Sequence, residues 1–329
     1  AISEYKYKDF KTNKISGITS YAPSDDPKGI PYVSQLPSPM VTYSNVKMIN
    51  KDGKGTILGS TAYEFGTLEL LHSEPGYLFS LGDSFKVKEE QNTSFEGGKV
   101  IANKYSIHNC LGNIGRLLSV KVYNSKNQLI TSTQNNYKTD LDSSNEIGVT
   151  QESHKSIKRV LKGENLDEFF YISSTSRVNY PSVLESSTAI QGGFTNTTYY
   201  DKHDFLTGQV TETRTVASDR TEVKTKIIPA YHINSYTNNS IGYSMGSKVD
   251  NPTNKNMLTQ TAANLTQIKM GNDWKTIGAG ITTWNNNWTY RNPNGMTTTP
   301  SNHAYQIWRK HQTYAWKGDV DAHGVYVGY

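Results

Sequence analysis

Cysteine is almost missing from this sequence: 329 residues contain one, Cys110, so no disulfide can form within the chain. Stability in an oxidising compartment would then have to come from packing or bound ions. No apolar run approaches the roughly 18 residues that a membrane-crossing helix needs. Charge is also sparse, at 19% of residues, and the net +5 is scattered along the chain and forms no stripe. That distribution argues against nucleic acid as a partner. Catalytic signatures are lacking too, since His-Glu-x-x-His, Gly-x-Ser-x-Gly and phosphate-cradling glycine loops do not occur. The carboxylate pairs Asp25-Asp26, Glu89-Glu90 and Asp140 with Asp142 stand in polar, turn-like context and read as solvated. The expectation is a protein with no catalytic residues, no cofactor and no metal.

What is present points to β-structure. The chain carries 22 Tyr with an excess of Thr, Ser and Asn, residues that suit strands and turns better than helices. Twenty-six Gly and 11 Pro punctuate many short segments. The chain opens at Ala1 without Met and stops at Val325-Tyr326-Val327-Gly328-Tyr329, which reads as mid-strand, so a piece of a longer polypeptide is expected.

Three regions follow from the pattern. Residues 1–40 read as a connector, because Pro31, Pro37 and Pro39 exclude a helix and a central strand. Residues 41–180 read as a region of hairpins. Asp52-Gly53 separates strands at Val41 to Asn50 and Thr56 to Phe65, and Asn124 to Asn127 separates Leu117 to Tyr123 from Gln128 to Thr133. Residues 66–98 read as irregular and Lys138 to Glu152 as a loop. Ser153 to Phe170 is the one place where Ile157, Val160 and Leu161 admit a helix. Residues 181–329 read as a β-sheet region with a polar loop over Asn238 to Lys255. Its centre is a three-strand meander over Thr195 to Ile228, with turns at Asp201 to Asp204 and Ala217 to Arg220. Placing the second turn there sets Glu212 opposite Thr225 and Arg214 opposite Val223. Neither face of this ribbon is strongly apolar, so it needs neighbouring strands.

Two hairpins share a frame: Tyr123-Asn124-x-x-Asn127-x-Leu129 matches Tyr200-Asp201-x-x-Asp204-x-Leu206. In that frame Tyr ends a strand, Asn or Asp starts an Asx-type turn, the next marked residue takes a left-handed conformation, and Leu restarts a strand. The stretch Tyr200 to Val210 resembles a YD repeat of the Rhs family. Arg177 to Ser182, Asp201 to Thr215 and Ile307 to His311 resemble very large Rhs-related surface proteins of gliding, type 9-secreting bacteria. The resemblance covers roughly residues 40 to 329. It implies an exported, all-β scaffold of antiparallel hairpins and meanders in a large twisted sheet, spiral or shell, which serves adhesion or encloses a toxin. It also implies that the partners are other segments of the same polypeptide, with cell-surface or secretion-system proteins. Asp204 and Asn127 stand where that family has Gly.

Three further groups carry residue types suited to chemistry or binding. Cys110 follows His108 by two residues, which would share a face on a strand, yet Asn109 and Leu111-Gly112 supply no charge to activate a thiol. A buried small hydrophobe is the default. Asp319, Asp321, His323 and Gly324 fit the first half of a calcium loop, though a plain turn accounts for them better. Trp284, Trp288 and Trp308, with Trp274, Tyr290 and Trp316, could stack on sugar rings, or fill a sheet core as large aromatics more commonly do.

Overall fold

The computed structural model describes residues 2–19, 41–67, 79–81, 85–90, 100–138, 150–162, 167–204, 206–232, 256–286, 288–291, 294–298 and 308–316. Within them the strands are β1 (Ile2–Lys6), β2 (Gly17–Thr19), β3 (Val41–Tyr43), β4 (Asn45–Lys51), β5 (Ile57–Phe65), β6 (Phe79–Leu81), β7 (Phe85–Glu90), β8 (Val100–Asn109), β9 (Leu117–Asn124) and β10 (Leu129–Tyr137). They continue with β11 (Thr150–Lys162), β12 (Asp167–Asn179), β13 (Leu184–Gln191), β14 (Phe194–His203), β15 (Val210–Val216), β16 (Glu222–Pro229), β17 (Thr261–Met270), β18 (Asp273–Asn285), β19 (Tyr290–Arg291), β20 (Thr297–Thr298) and β21 (Arg309–Ala315). Two single-turn 3-10 helices, Leu111–Asn113 and Ala230–His232, complete the described elements. The chain is therefore all-β, as its composition predicts. No described helix is long and apolar enough to cross a membrane.

The large sheet has the strand order β1-β4-β5-β9-β10-β13-β14-β15-β16-β17-β18-β21, and a five-stranded sheet has the order β11-β12-β8-β7-β6. By compactness the chain divides within β13 into two units, one holding residues 1–184 and 189–193, the other 185–188 and 194–329.

In the first unit, Met48 pairs Thr61 and Thr61 pairs Val122, so Val46, Met48, Tyr63, Val120 and Val122 share one face. The other face buries small residues: Ser60, Ala62 and Ser119, with Asn45 and Ile49. Longer neighbours cover them, and Lys47 reaches over the Tyr123 ring with its Nζ 5.3 Å from the centroid.

The five-stranded sheet changes two readings of the sequence. The described residues of 153–170 form no helix: β11 and β12 pair in one continuous register from Thr150 opposite Asn179 to Lys162 opposite Asp167. Ile157 and Leu161 are four apart, a spacing that shares a face in a strand as well as in a helix, so that signal could not separate the two. The segment 66–98 is not wholly irregular either. It supplies β6 and β7, and Phe85 and Val87 of β7 are the most deeply buried large side chains among the described residues. Val87 pairs Ile107 of β8, itself 2% exposed. The pairing of β12 with β8 is parallel, from Phe170 opposite Val100 to Asn179 opposite Asn109. The long intervening chain makes a parallel pair possible where a tight hairpin would not.

Gly192 and Gly193, both at positive φ, turn β13 into β14. The second unit is a meander, in which β14 through β18 pair in chain order before β21 joins the edge. The β15–β16 register differs by one residue from the sequence expectation: Glu212 faces Lys226 and Arg214 faces Lys224. Arg220, at φ 69°, adds one residue to the turn, and Ala217 N–H donates to Thr221 O at 3.0 Å.

Candidate functional site

Five turns are closed by one principle in two lengths. In the shorter form, the first residue's N–H donates to the carbonyl four residues on, and the fourth residue takes positive φ. Asp52 to Thr56, Asn124 to Gln128 and Ala217 to Thr221 follow it, with Gly55, Asn127 and Arg220 at φ 88°, 58° and 69°. Asp52 and Asn124 each accept two backbone N–H groups on their Oδ1, at 2.8 to 2.9 Å. In Tyr123-Asn124-x-x-Asn127-x-Leu129, Asn124 closes β9 and caps the turn, Asn127 takes the left-handed conformation, and Leu129 opens β10.

The second copy of that frame does not superpose on the first. Tyr200 and Asp201 lie inside β14, where register shifts flank Lys202, and the turn begins three residues later at Asp204. Leu206 lies within the turn, four residues before β15 begins. Here the longer form operates: Asp204 N–H donates to Gln209 O at 2.7 Å, Gly208 N–H donates to Asp204 O at 2.8 Å, and Gly208 sits at φ 70°. Both the N–H and the hydroxyl of Thr207 donate to Asp204 Oδ1 at 2.8 Å.

The true counterpart of this turn is at the start of the chain. Asp9 N–H donates to Lys14 O at 2.8 Å, Asn13 at φ 58° donates to Asp9 O at 2.9 Å, and Thr12 gives its N–H and hydroxyl to Asp9 Oδ1 at 2.7 and 2.8 Å. In sequence the pair reads Asp9-Phe10-Lys11-Thr12-Asn13-Lys14 and Asp204-Phe205-Leu206-Thr207-Gly208-Gln209. The Asp-Phe-x-Thr signal was present, but it carries no apolar alternation, and the Tyr-Asp match three residues earlier hid it.

Asp204 differs from Asp9 in burial and in a second set of partners. Its side chain is fully buried, Tyr231 donates its phenolic hydrogen to Oδ2, and His232 Nε2 lies 2.9 Å from the same oxygen. Burial pushes the Asp204 carboxyl up, but hydrogen bonds from Tyr231 and Thr207 and the His232 ring outweigh it, and the group sits below the usual carboxylate range. Burial first, then the adjoining carboxylate, push the Tyr231 phenol well above its ordinary range. Thr207, Tyr231 and His232 thus surround both oxygens of Asp204, which ties its own turn to the segment after β16. Nothing in the sequence pattern marked Tyr231 and His232, which follow β16 in a segment without periodicity.

A charged lattice spans one face of the second unit. Asp201 pairs Arg214 at 3.3 Å, Arg214 reaches Glu222 at 3.5 Å, and Glu222 meets Lys269 at 2.6 Å. Glu212 holds Lys224 at 3.1 Å and Lys226 at 3.6 Å. Aromatic rings flank the lattice: Arg214 lies 4.2 Å from the Tyr199 ring centroid and Lys224 lies 4.3 Å from that of Trp274.

Trp284 and Trp308 are brought together against Ala230 and Ala262, beside Tyr231 and Met257, and Trp284 Nε1 donates to Thr261 O at 3.0 Å. Trp288 is placed apart from that cluster, edge-on to His311 at 6.3 Å between centroids. Trp274 lies against Lys224, on the charged face described above. Asp319 and Asp321 lie outside the described residues, as do Asp25, Asp26, Asp140 and Asp142. Among the described residues no group of three His, Cys, Asp or Glu is arranged to hold a metal ion.

No protein-family model matches the chain, and no curated protein matches it. Among solved structures, the chain is similar to a chain in the crystal structure of TcdB2-TccC3-Cdc42, at 8% identity and a TM-score of 0.32, covering 85% of this chain and 16% of that one. It is also similar to a chain of TcdB2-TccC3, at 9% identity and a TM-score of 0.31, covering 81% of this chain and 16% of that one.

Proposed function

We propose that this chain is a non-enzymatic structural segment of a large, exported, Rhs-like cell-surface protein, serving as scaffold or adhesin. The observation that carries the reading is the reuse of side-chain-capped turns. The Asp-Phe-x-Thr loop at Asp9 and at Asp204, and the shorter loops at Asp52 and Asn124, each return the chain antiparallel with a local carboxylate or amide as the cap. A sheet that grows by locally specified hairpins extends without a central active cavity, which suits a load-bearing wall. Type 9 secretion and a role in gliding belong to the same proposal through the Rhs-like sequence stretches.

The second reading is a shell segment of an Rhs-type toxin carrier whose cargo lies outside this chain. The chain-order meander from β13 to β18 favours it, because adding one strand per hairpin is an economical way to build a wall. Treating intact cells that make the full-length protein with added protease tests both. Cleavage at the surface, together with loss of attachment on gene deletion, supports the scaffold or adhesin. A polypeptide that stays protease-resistant within the purified particle until denaturation supports the carrier. Confinement of the protein to the cytosol overturns both.

A further inference from the structure

The sheet that the functional reading leaves unused carries the chain's one thiol beside a histidine. His108 is near the end of β8 and Cys110 is the first residue after it, and Cys110 Sγ lies 3.1 Å from His108 Nε2. A thiol and an imidazole at that separation are a nucleophile and a base within proton-transfer reach. The site stands at the C-terminal ends of the parallel pair β8 and β12, and several contacts fix it. The Tyr180 ring packs on the His108 ring at 4.3 Å between centroids. Tyr180 N–H donates to Asn109 O at 2.8 Å, Asn109 Nδ2 donates to Asn179 Oδ1 at 2.9 Å, and Leu111 N–H donates to Asn109 Oδ1 at 3.1 Å. Lys86 of β7 is the register partner of His108 across the antiparallel pair.

We infer that Cys110 and His108 form a reactive thiol–imidazole pair that exchanges with small disulfides, making Cys110 a site of reversible mixed-disulfide modification. The thiol proton passes to His108 Nε2 as sulfur attacks one sulfur of the incoming disulfide. The new S–S bond forms as the old one breaks, and the departing thiolate takes the proton from Nε2. The Cys110 thiol is oxidised to a mixed disulfide and half of the incoming disulfide is reduced to a thiol, so the step is balanced without another oxidant. Cys110 is 8% exposed, which restricts the reaction to small reagents. The chain holds no second cysteine to resolve the adduct, so the modification is stoichiometric and persists until an external thiol removes it.

The test uses dithiodipyridine on the folded protein, following thiopyridone release from about pH 5 to about pH 9, where a free thiol and an imidazole-assisted one diverge. The wild-type protein is expected to release one equivalent while still folded. His108→Gln is expected to react about tenfold more slowly near pH 6 and to converge with wild type near pH 9, where hydroxide replaces the base. Cys110→Ser should release nothing. Circular dichroism reports whether His108→Gln is folded. If it is not, the wild-type pH profile decides: a rate that follows an ordinary free-thiol titration overturns the inference, and one sustained below that range supports it. Reaction only after urea unfolding, or superposed wild-type and His108→Gln profiles, also overturns it.

Discussion

Tyr231 donates its phenolic hydrogen to Oδ2 of Asp204, joining the 3-10 turn after β16 to the loop that precedes β15. The same carboxylate organises its own loop through Thr207, so one buried side chain serves as turn cap and as long-range tie.

Removing that carboxylate should be costly. Asp204→Ala deletes a buried acceptor shared by the Tyr231 hydroxyl, the Thr207 N–H and hydroxyl and the His232 ring, and leaves a cavity where the carboxylate sat, so we expect a loss of about 2 kcal/mol in urea unfolding. Asp9→Ala deletes the matching cap in an exposed loop, where water replaces the lost acceptor, and should shift the midpoint much less.

The pH dependence of stability has two signed limbs. The folded Asp204 carboxyl is held below its ordinary value, so its stabilisation is present above the ordinary carboxylate range and is lost as pH falls through the lowered value. The folded Tyr231 phenol is raised, so its stabilisation is complete below the ordinary phenol range and is lost as pH rises beyond it. Urea midpoints measured across pH should decline at both extremes. Tyr231→Phe should flatten the alkaline limb, and Asp204→Asn the acid one.

Two strand glycines should respond oppositely to a methyl group. A Cβ at Gly59 would lie 2.8 Å from the backbone O of Tyr123, so Gly59→Ala forces β5 from β9 and should cost about 2 kcal/mol. A Cβ at Gly280 meets nothing within 4 Å, and Gly280→Ala should leave thermal unfolding within about 0.5 kcal/mol of wild type.

The β15–β16 register is open to a charge-reversal cycle. Glu212→Lys sets a third cation beside Lys224 and Lys226 and should destabilise by about 3 kcal/mol. Adding Lys226→Glu should recover part of that loss, because Lys226 stands directly opposite position 212. Equal instability of the single and double variants in urea would instead place Thr225 there.

Trp284→Ala removes a ring packed on Ala230 and Ala262 and a donor to Thr261 O, with an expected cost of about 3 kcal/mol. Trp288→Ala should cost less, and its retention on a polysaccharide column, compared with wild type, reports any sugar stacking at that ring.

Much of the β-architecture was legible because hairpin signals are local. Asn124 and Asn127 cap and bend the chain within five residues, and Gly192-Gly193 supplies two positive φ angles in succession. Other features were not, because they depend on what lies across the strand. The helix admitted at Ser153 to Phe170 rested on a four-residue spacing that strands share. β7 was too short to read against the polar residues around it. The turn before β15 was placed three residues early, since Tyr200-Asp201 resembles a turn start but is paired within β14.

By itself the sequence determined the all-β class, the sites of most hairpins and the absence of any internal disulfide, since alternation, turn residues and cysteine number act locally or by count. Only the tertiary structure decided the pairing of Glu212 with Lys226, the parallel alliance of β8 with β12, the burial of Asp204 beside Tyr231 and His232, and the contact of Cys110 with His108. A two-residue period says which side chains share a face. It leaves open which strand arrives next and at what register, and a slip of one residue gives each side chain a new neighbour.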